Sequence, residues 1–160
     1  NLKMNSLSDY KMIDKLYEAS NAGVKIKLII RGICCLVPGL KNYSENIEAI
    51  SIVDNYLEHS RVFIFGNNDN PEVFISSADF MTRNIDARVE VTCPIYDEEI
   101  KQDLIDTFGI GWKANVKARL HSDKFENLYR KRGEEKMFRA QQEMYKHYQN
   151  NLEVIVSEII

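Results

Sequence analysis

Two short apolar runs separated by a turn place the strongest limit on how this chain can fold. The first run is VFIF at Val62–Phe65, and the second is EVFI at Glu72–Ile75. The segment between them, Gly66–Pro71, is rich in Gly, Asn, Asp and Pro. Short β-branched and aromatic runs bounded by turn-forming residues predict β-strands. A β-sheet is therefore the expected centre of the fold.

The beginning of the chain predicts a strand, a helix and a second strand. Residues 3–6 have the character of a strand end, as if the chain began inside that strand, and an apolar helical face from Met12 to Tyr17 is followed by Gly23. Val24 to Ile30 alternates apolar residues with lysine before it becomes fully apolar, which is typical of a strand entering a core. A strand–helix–strand unit predicts a parallel crossover.

The remaining elements are predicted from periodicity. The expected fold is α/β, a mixed β-sheet flanked by helices, in a single domain over residues 1–160. Further elements follow in chain order: a helix from Ile47 to Leu57 that brings His59 to its end, a strand from Arg88 to Cys93, a helix that opens at Asp97 and is ended by Gly109 and Gly111, and an amphipathic helix from Met137 to Tyr148.

Polar side chains gather where the predicted strands end. His59 and Arg61 precede the first apolar run, and Arg31 follows the strand that ends at Ile30. Ligands of α/β sheets bind beyond the carboxyl ends of strands, so this edge is the candidate site. The second apolar run leads into further polar candidates, namely Ser76, Ser77, Asp79, Thr82, Arg83 and Asn84, and Arg88 follows them in the chain.

Each of these residues also has a purely structural interpretation. His59 could be a helix-terminal histidine favoured by the helix dipole. Arg31 could pair with a carboxylate, since a guanidinium binds carboxylate and phosphate equally well. Arg88 could form a cross-strand charge pair with Glu90. The basic residues between Lys117 and Arg139, with Phe125 and Tyr129 among them, could bind a linear polyanion or form a solvated surface.

Charge and cysteine content narrow the classes of function. The net charge of −3 gives no global positive field that would recruit a polyanion, and no nucleic-acid partner is expected. The three cysteines show no metal-ligand spacing, which indicates reduced thiols and a cytoplasmic location. Walker and dinucleotide-binding motifs are absent from the sequence, so ATP would not be held by a P-loop.

The stretch around His59 resembles one half of the phospholipase D-like phosphotransferase fold. His59-x-Arg61, a strand, a turn and ISSADFMTR at Ile75–Arg83 follow the order of the His-x-Lys motif and its Gly-Ser-x-Asn strand end. Arg61 stands for the lysine, Ser76 for the glycine and Asp79 for the asparagine. Gly66 stands for the motif's aspartate, and these departures speak against ordinary phosphodiesterase activity.

A wider resemblance covers almost the whole chain. Five blocks in order are similar to the C-terminal part of bacterial polyphosphate kinase of the type 1 family: KMNSL (Lys3–Leu7), LYEASNAGVKIKLIIRGICCL (Leu16–Leu36), ENIEAISIVDNYLEHSRV (Glu45–Val62), ISSADFMTRNID (Ile75–Asp86) and VKAR (Val116–Arg119). The resemblance implies a C-terminal catalytic-type domain of a longer enzyme, whose phosphorylated histidine lies in a preceding domain.

The resemblance implies reversible transfer of the terminal phosphate of ATP to inorganic polyphosphate through that phosphohistidine. Arg31 would bind ATP phosphates, and His59 would contact the nucleotide and act as acid or base. Ser77, Asp79, Arg83 and Arg88 would line the phosphate site less directly. Mg²⁺ would accompany ATP, with its ligands in the upstream domain.

The expected partners are ATP or ADP, polyphosphate, the upstream domains and further copies of the chain. Membrane association of the full-length enzyme stays open. Two other classes of function also stay open: a phospholipase D-like phosphodiesterase half, and a non-catalytic anion-binding or oligomerisation module.

Overall fold

A seven-stranded mixed sheet forms the centre of the computed structural model, which describes residues 1–124 and 126–159, without the side chains of 153–159. The strand order is β6-β5-β4-β1-β2-β3-β7. In chain order the elements are β1 (Leu2–Met4), α1 (Tyr10–Asn21), β2 (Ile26–Ile30), β3 (Ile47–Ile52), β4 (Val62–Phe65), β5 (Glu72–Ser76), α2 (Thr82–Asp86), β6 (Thr92–Ile95), α3 (Glu98–Trp112), β7 (Ala118–Leu120) and α4 (Ala140–Ile159).

The sheet is parallel in its middle and antiparallel on both sides. β1 pairs in parallel with β2 through the crossover helix α1, and β2 pairs in parallel with β3 through the loop 31–46. β4, β5 and β6 add antiparallel strands on one side, and β7 adds one on the other. The predicted α/β fold, a mixed sheet flanked by helices, is confirmed, as is the parallel crossover.

Apolar clusters cover both faces of the sheet. Leu28 and Ile30 of β2 lie in one cluster, against Ile13 of α1. Ile29 between them points to the opposite cluster, which includes Phe108 of α3. This alternation along one strand follows from the two-residue period of β-structure. The central strands are therefore buried on both faces, and polar groups are left to the strand ends.

The predicted helix over Ile47–Leu57 is wrong, because residues 47–52 form strand β3 and residues 53–61 form a loop. β3 is buried on both faces between β2 and β7, so its apolar residues show no simple alternation. The spacing of Ile47 and Ile50 imitates a helical stripe, although isoleucine favours strands. His59 consequently lies on a loop and not at a helix end.

Two further element boundaries differ from the prediction. Gly109 and Gly111 lie inside α3, which continues to Trp112. A Cβ atom at Gly111 would lie 3.1 Å from Cδ1 of Ile29, so this glycine lets the helix approach the sheet closely. The strand expected from Arg88 begins only at Thr92, which leaves Arg88 in a loop.

The last helix is longer than its periodicity suggested, because α4 runs from Ala140 to Ile159. Phe125, named above among the basic residues, and Ile160 lie outside the described residues. In the part of the chain that is described, no helix has the length and apolarity needed to cross a membrane.

Candidate functional site

One edge of the sheet collects most of the predicted site residues. β1 and β2 end there, and because β4 runs in the opposite direction, β4 begins there. Asn5 follows β1 and Arg31 follows β2, while Arg61 directly precedes β4. Ser77 follows β5, which also ends at this edge. Four neighbouring strands thus present polar groups side by side at this edge.

Asp79, Arg61 and His59 form a hydrogen-bonded series at this edge. Arg61 donates from Nη2 to Asp79 Oδ2 at 3.0 Å and from Nε to Asp79 Oδ1 at 3.3 Å. Its Nη2 also lies 3.0 Å from His59 Nε2, and its Nη1 donates to the His59 carbonyl at 2.9 Å. The Arg61 and Asp79 side chains are 13% and 6% exposed, whereas His59 is exposed. A buried charge pair therefore supports a histidine that solvent can reach.

Asn5 connects this series to Arg31. The Asn5 backbone N–H donates to Asp79 Oδ1 at 2.8 Å, and its side-chain Oδ1 accepts from Arg31 Nε at 2.8 Å. The backbones also approach closely, because Gly32 N–H donates to the Asn5 carbonyl at 2.8 Å. A Cβ atom at Gly32 would lie 3.2 Å from that carbonyl oxygen, so the lack of a side chain at this residue permits the close approach. Arg31 and His59 thus belong to one hydrogen-bonded network.

Asp79 is held in its charged form. Burial alone would raise the pKa of this carboxyl, but hydrogen bonds from Arg61 and from the backbone N–H groups of Ser6 and Asn5 outweigh burial and lower it. A carboxylate that accepts several such bonds stays ionised. Asp79 therefore neutralises Arg61 and organises the edge, and both of its oxygens are already engaged.

The other predicted site residues lie nearby in different roles. The Ser77 hydroxyl donates to the Glu90 carboxylate, to which Asn84 also donates at 2.6 Å. These two bonds lower the pKa of Glu90. Arg83 and Arg88 are exposed, and within the described chain neither side chain makes a hydrogen bond or an ion pair. The expected charge pair of Arg88 with Glu90 is therefore not formed, although Arg88 contributes to the low pKa of Glu90.

The first turn of α4 fixes the loop that carries His59. Arg139 forms a two-point ion pair with Asp54, in which Arg139 Nε donates to Asp54 Oδ2 at 2.8 Å and Nη2 donates to Oδ1. Gln141 binds the backbone of Tyr56 and the carboxylate of Glu58. Glu58 also pairs with Lys3 of β1 at 2.5 Å. These contacts hold both ends of the loop segment 54–58.

The described residues hold no preformed cluster of metal-ligating side chains. Among residues 1–124 and 126–159, no three His, Cys, Asp or Glu side chains are placed to hold a metal ion. The nearest carboxylates, Asp79 and Glu90, are already saturated by Arg61, Ser77 and Asn84. The donor set at this edge is cationic, which suits an anion.

Reasoning from the sequence overlooked Asn5 and the contacts of α4. Asn5 directly follows a strand, so the same strand-end rule that selected Arg31 would have selected it. Gln141 and Arg139 carried no local signal, since their partners lie 85 residues away. His121 is half-buried, and burial lowers its pKa.

Comparison with known proteins gives consistent matches. A family model described as polyphosphate kinase C-terminal domain 2 matches residues 1–141. Polyphosphate kinase of Vibrio vulnificus strain YJ016 is 52% identical over 149 residues, which are 93% of this chain and 21% of that protein. Polyphosphate kinase of Escherichia coli K12 is 48% identical over 144 residues, which are 90% of this chain and 21% of that protein.

A solved structure agrees in fold. The crystal structure of polyphosphate kinase from Porphyromonas gingivalis superimposes with a TM-score of 0.93 at 45% sequence identity, and the match covers 96% of this chain and 24% of that one. The chain thus spans about a fifth to a quarter of the length of these relatives. The family model covers most of the chain, and the chain therefore belongs to the polyphosphate kinase family, in the region described as C-terminal domain 2.

Proposed function

We propose that this chain is the part of a polyphosphate kinase that binds nucleotide and phosphate during reversible transfer of the terminal phosphate of ATP to inorganic polyphosphate. The observation that carries the proposal is the network joining Arg31 to His59 at the sheet edge, in a member of this family. Phosphoryl transfer depends mainly on positioning and on neutralising charge, so a rigid pair of cationic and hydrogen-bonding groups is suitable.

Arg31 would hold the phosphates of ATP. Its Nε is used by Asn5, and within the described chain its two Nη groups make no hydrogen bond, so the outer part of the guanidinium remains available. Because its Nε is already held by Asn5, the guanidinium loses less conformational freedom when phosphate binds. Its two outer nitrogens match two phosphate oxygens.

His59 would contact the nucleotide and act as acid or base opposite a phosphohistidine supplied by an upstream domain. Its exposure at the network's end supports this role. Arg83 and Arg88 would add positive charge along the same edge, and Ser77 would line it. Asp79 would act through Arg61, because its oxygens are already bonded.

Mg²⁺ would screen the phosphates of ATP, and the chain described here offers it no ligand set, so upstream ligands are part of the proposal. Upstream domains and further copies of the chain complete the proposed assembly. Three arginines of the segment 117–139 already have partners: Arg119 stacks on Tyr129, Arg130 lies over the Trp112 ring, and Arg139 pairs with Asp54. The proposal places phosphate binding at the sheet edge, where Arg31 and His59 belong to one network.

The test uses the full-length protein that contains this chain, supplied with Mg²⁺, ATP and a short polyphosphate primer. Wild type should lengthen the primer, and His59→Ala should lower the rate by about 10²- to 10⁴-fold, the usual contribution of a general acid or base. His147→Ala is the matched control, because His147 pairs with Asp103 far along the chain from the edge. Near-normal turnover of His59→Ala would refute the role of His59.

The same assay separates the other classes of function. Hydrolysis of a phosphodiester by the wild-type protein, without primer growth, would identify the phospholipase D-like phosphodiesterase. Binding of tripolyphosphate without either reaction would identify an anion-binding module. Either result would overturn the proposed kinase function.

A further inference from the structure

Arg61 determines which ring nitrogen of His59 can carry a proton. Arg61 Nη2 lies 3.0 Å from His59 Nε2. Guanidinium nitrogens donate hydrogen bonds and cannot accept them, and arginine stays charged in proteins. His59 Nε2 must therefore be the acceptor in this contact. The proton of the neutral imidazole is then on Nδ1, as the neighbouring hydrogen bond of a histidine usually decides.

Asp79 in turn leaves Arg61 little freedom to release the ring. Its carboxylate takes two N–H groups of Arg61, and backbone N–H groups of Asn5 and Ser6 fix the same carboxylate at 2.8 Å and 3.0 Å. Arg61 also donates a hydrogen bond to the His59 carbonyl at 2.9 Å, so one side chain binds both the ring and the backbone of His59.

We infer that Arg61 and Asp79 are positioning residues that hold His59 in the Nδ1–H tautomer, so that this N–H faces the phosphate. The inference rests on the proposed function of the sheet edge. His59 is exposed, and within the described chain no group hydrogen-bonds to its Nδ1. Nε2 is covered by Arg61 and is not available as a base. His59 therefore donates a hydrogen bond from Nδ1 to a phosphate oxygen, and its proposed role as acid or base narrows to that of a hydrogen-bond donor.

The same carboxylate also connects the histidine to Arg31. Asp79 fixes the backbone of Asn5, whose side chain accepts from Arg31 Nε at 2.8 Å. One buried charge thus sets the direction of two groups on opposite sides of β1. An unconnected pair of surface side chains would lose more conformational entropy when phosphate binds. Losing the Asp79 carboxylate is expected to disturb both groups.

The first arm of the test is spectroscopic and needs no catalysis. Long-range ¹H–¹⁵N correlations of the histidine rings in this chain, at a pH at which the rings are neutral, report the tautomer directly. His59 should show the Nδ1–H pattern in wild type and a mixture of tautomers in Arg61→Met, whereas His121 and His147 should not change. A wild-type ring with its proton on Nε2, or a pattern unaffected by Arg61→Met, would overturn the inference.

The second arm is a double-mutant cycle in the full-length protein. Arg61→Met should lower turnover by about 10- to 100-fold, the usual effect of removing a residue that orients a functional side chain. Added to His59→Ala it should cause no further loss beyond about twofold, since Arg61 acts through His59. Arg61→Lys, which keeps the charge beside Asp79 without the fork, should not restore the rate. Lys15→Met, on the exposed side of α1, is the control.

The two arms separate this inference from the proposed function. If the wild-type protein lacks kinase activity, the proposed function is refuted, but the first arm still measures the tautomer of His59. If the protein is a kinase but the losses from Arg61→Met and His59→Ala multiply, the positioning role is refuted and the proposed function stands. Should Arg61→Met fold poorly, the wild-type tautomer and the Asp79→Asn variant still decide the inference.

Discussion

The side-chain amide of Gln141 binds both backbone groups of Tyr56, donating to its carbonyl at 2.8 Å and accepting from its N–H at 3.0 Å. The same amide donates to Glu58 Oε1 at 3.0 Å. The amide thus replaces the backbone partner that the loop lacks after β3 ends. Because His59 follows Glu58 directly, the first turn of α4 helps to set where the candidate catalytic histidine lies.

Replacing Gln141 by alanine should loosen this loop. We expect Gln141→Ala to lower the free energy of unfolding by about 1.5–4.5 kcal/mol, since each of the three lost hydrogen bonds contributes about 0.5–1.5 kcal/mol net. The Tyr56 amide should exchange with solvent faster, which hydrogen exchange measures at that residue. Gln142→Ala is the control, because Gln142 is exposed on the same helix. Unchanged exchange at Tyr56 would contradict the role of Gln141.

The ion pair between Asp54 and Arg139 should be costly to break from one side. The Asp54 side chain is only 1% exposed, so Arg139→Ala would leave a buried carboxylate without its partner. We expect a loss of about 3–5 kcal/mol in the free energy of unfolding. Denaturant titrations of Arg139→Ala, Asp54→Ala and the double variant measure the coupling. The double variant should be more stable than the sum of the single losses predicts, and additive losses would contradict a direct pair.

Local sequence patterns predicted the strands around the turn and the first crossover because each of those elements has a recognisable pattern within a few consecutive residues. β4 and β5 are short apolar runs on either side of a turn in which Asn67, Asn68 and Asp69 adopt positive φ angles. Asn and Asp tolerate that backbone conformation better than most residues. The prediction for β3 was wrong because the apolar residues of this strand lie on both faces of the sheet, so the two-residue period of a strand is not visible in the sequence.

The candidate residues at the sheet edge were also chosen from local sequence patterns. The strand-end rule selected Arg31, His59 and Asp79 without knowledge of the fold, but it could not show that Asp79 binds Arg61. That contact joins residues 18 positions apart across antiparallel strands, and it converts a predicted phosphate-lining carboxylate into a support for a cation. Long-range pairings of this kind depend on register, which sequence periodicity alone does not give.

The three cysteines should differ in reactivity. Burial raises the pKa of the Cys34 thiol to about 11, and the thiol hydrogen-bonds to the Leu36 carbonyl. Since the thiolate is the nucleophile, Cys34 should react slowly with iodoacetamide at pH 8. Cys35 and Cys93 are exposed and should be labelled first. Mass spectrometry of the native chain should find two fast sites and a third that appears on unfolding; rapid labelling of Cys34 would contradict its burial.

The Asp79 carboxylate should make stability depend on pH in a defined direction. Its pKa is lower in the folded chain than the value of about 3.9 for an unfolded aspartate, so the folded state favours the charged form. The resulting stabilisation is fully present above pH about 4 and is lost as the pH falls through the folded pKa. Asp79→Asn should therefore be less stable than wild type by about 3 kcal/mol near pH 7, and the two should converge in acid.

Urea titrations of wild type and Asp79→Asn between pH 7 and pH 2.5 measure this difference directly. Asp14→Asn is the control, since Asp14 is exposed on α1 and within the described chain its side chain accepts no hydrogen bond. A difference between wild type and Asp79→Asn that stays constant over the whole range would mean that the variant acts through packing.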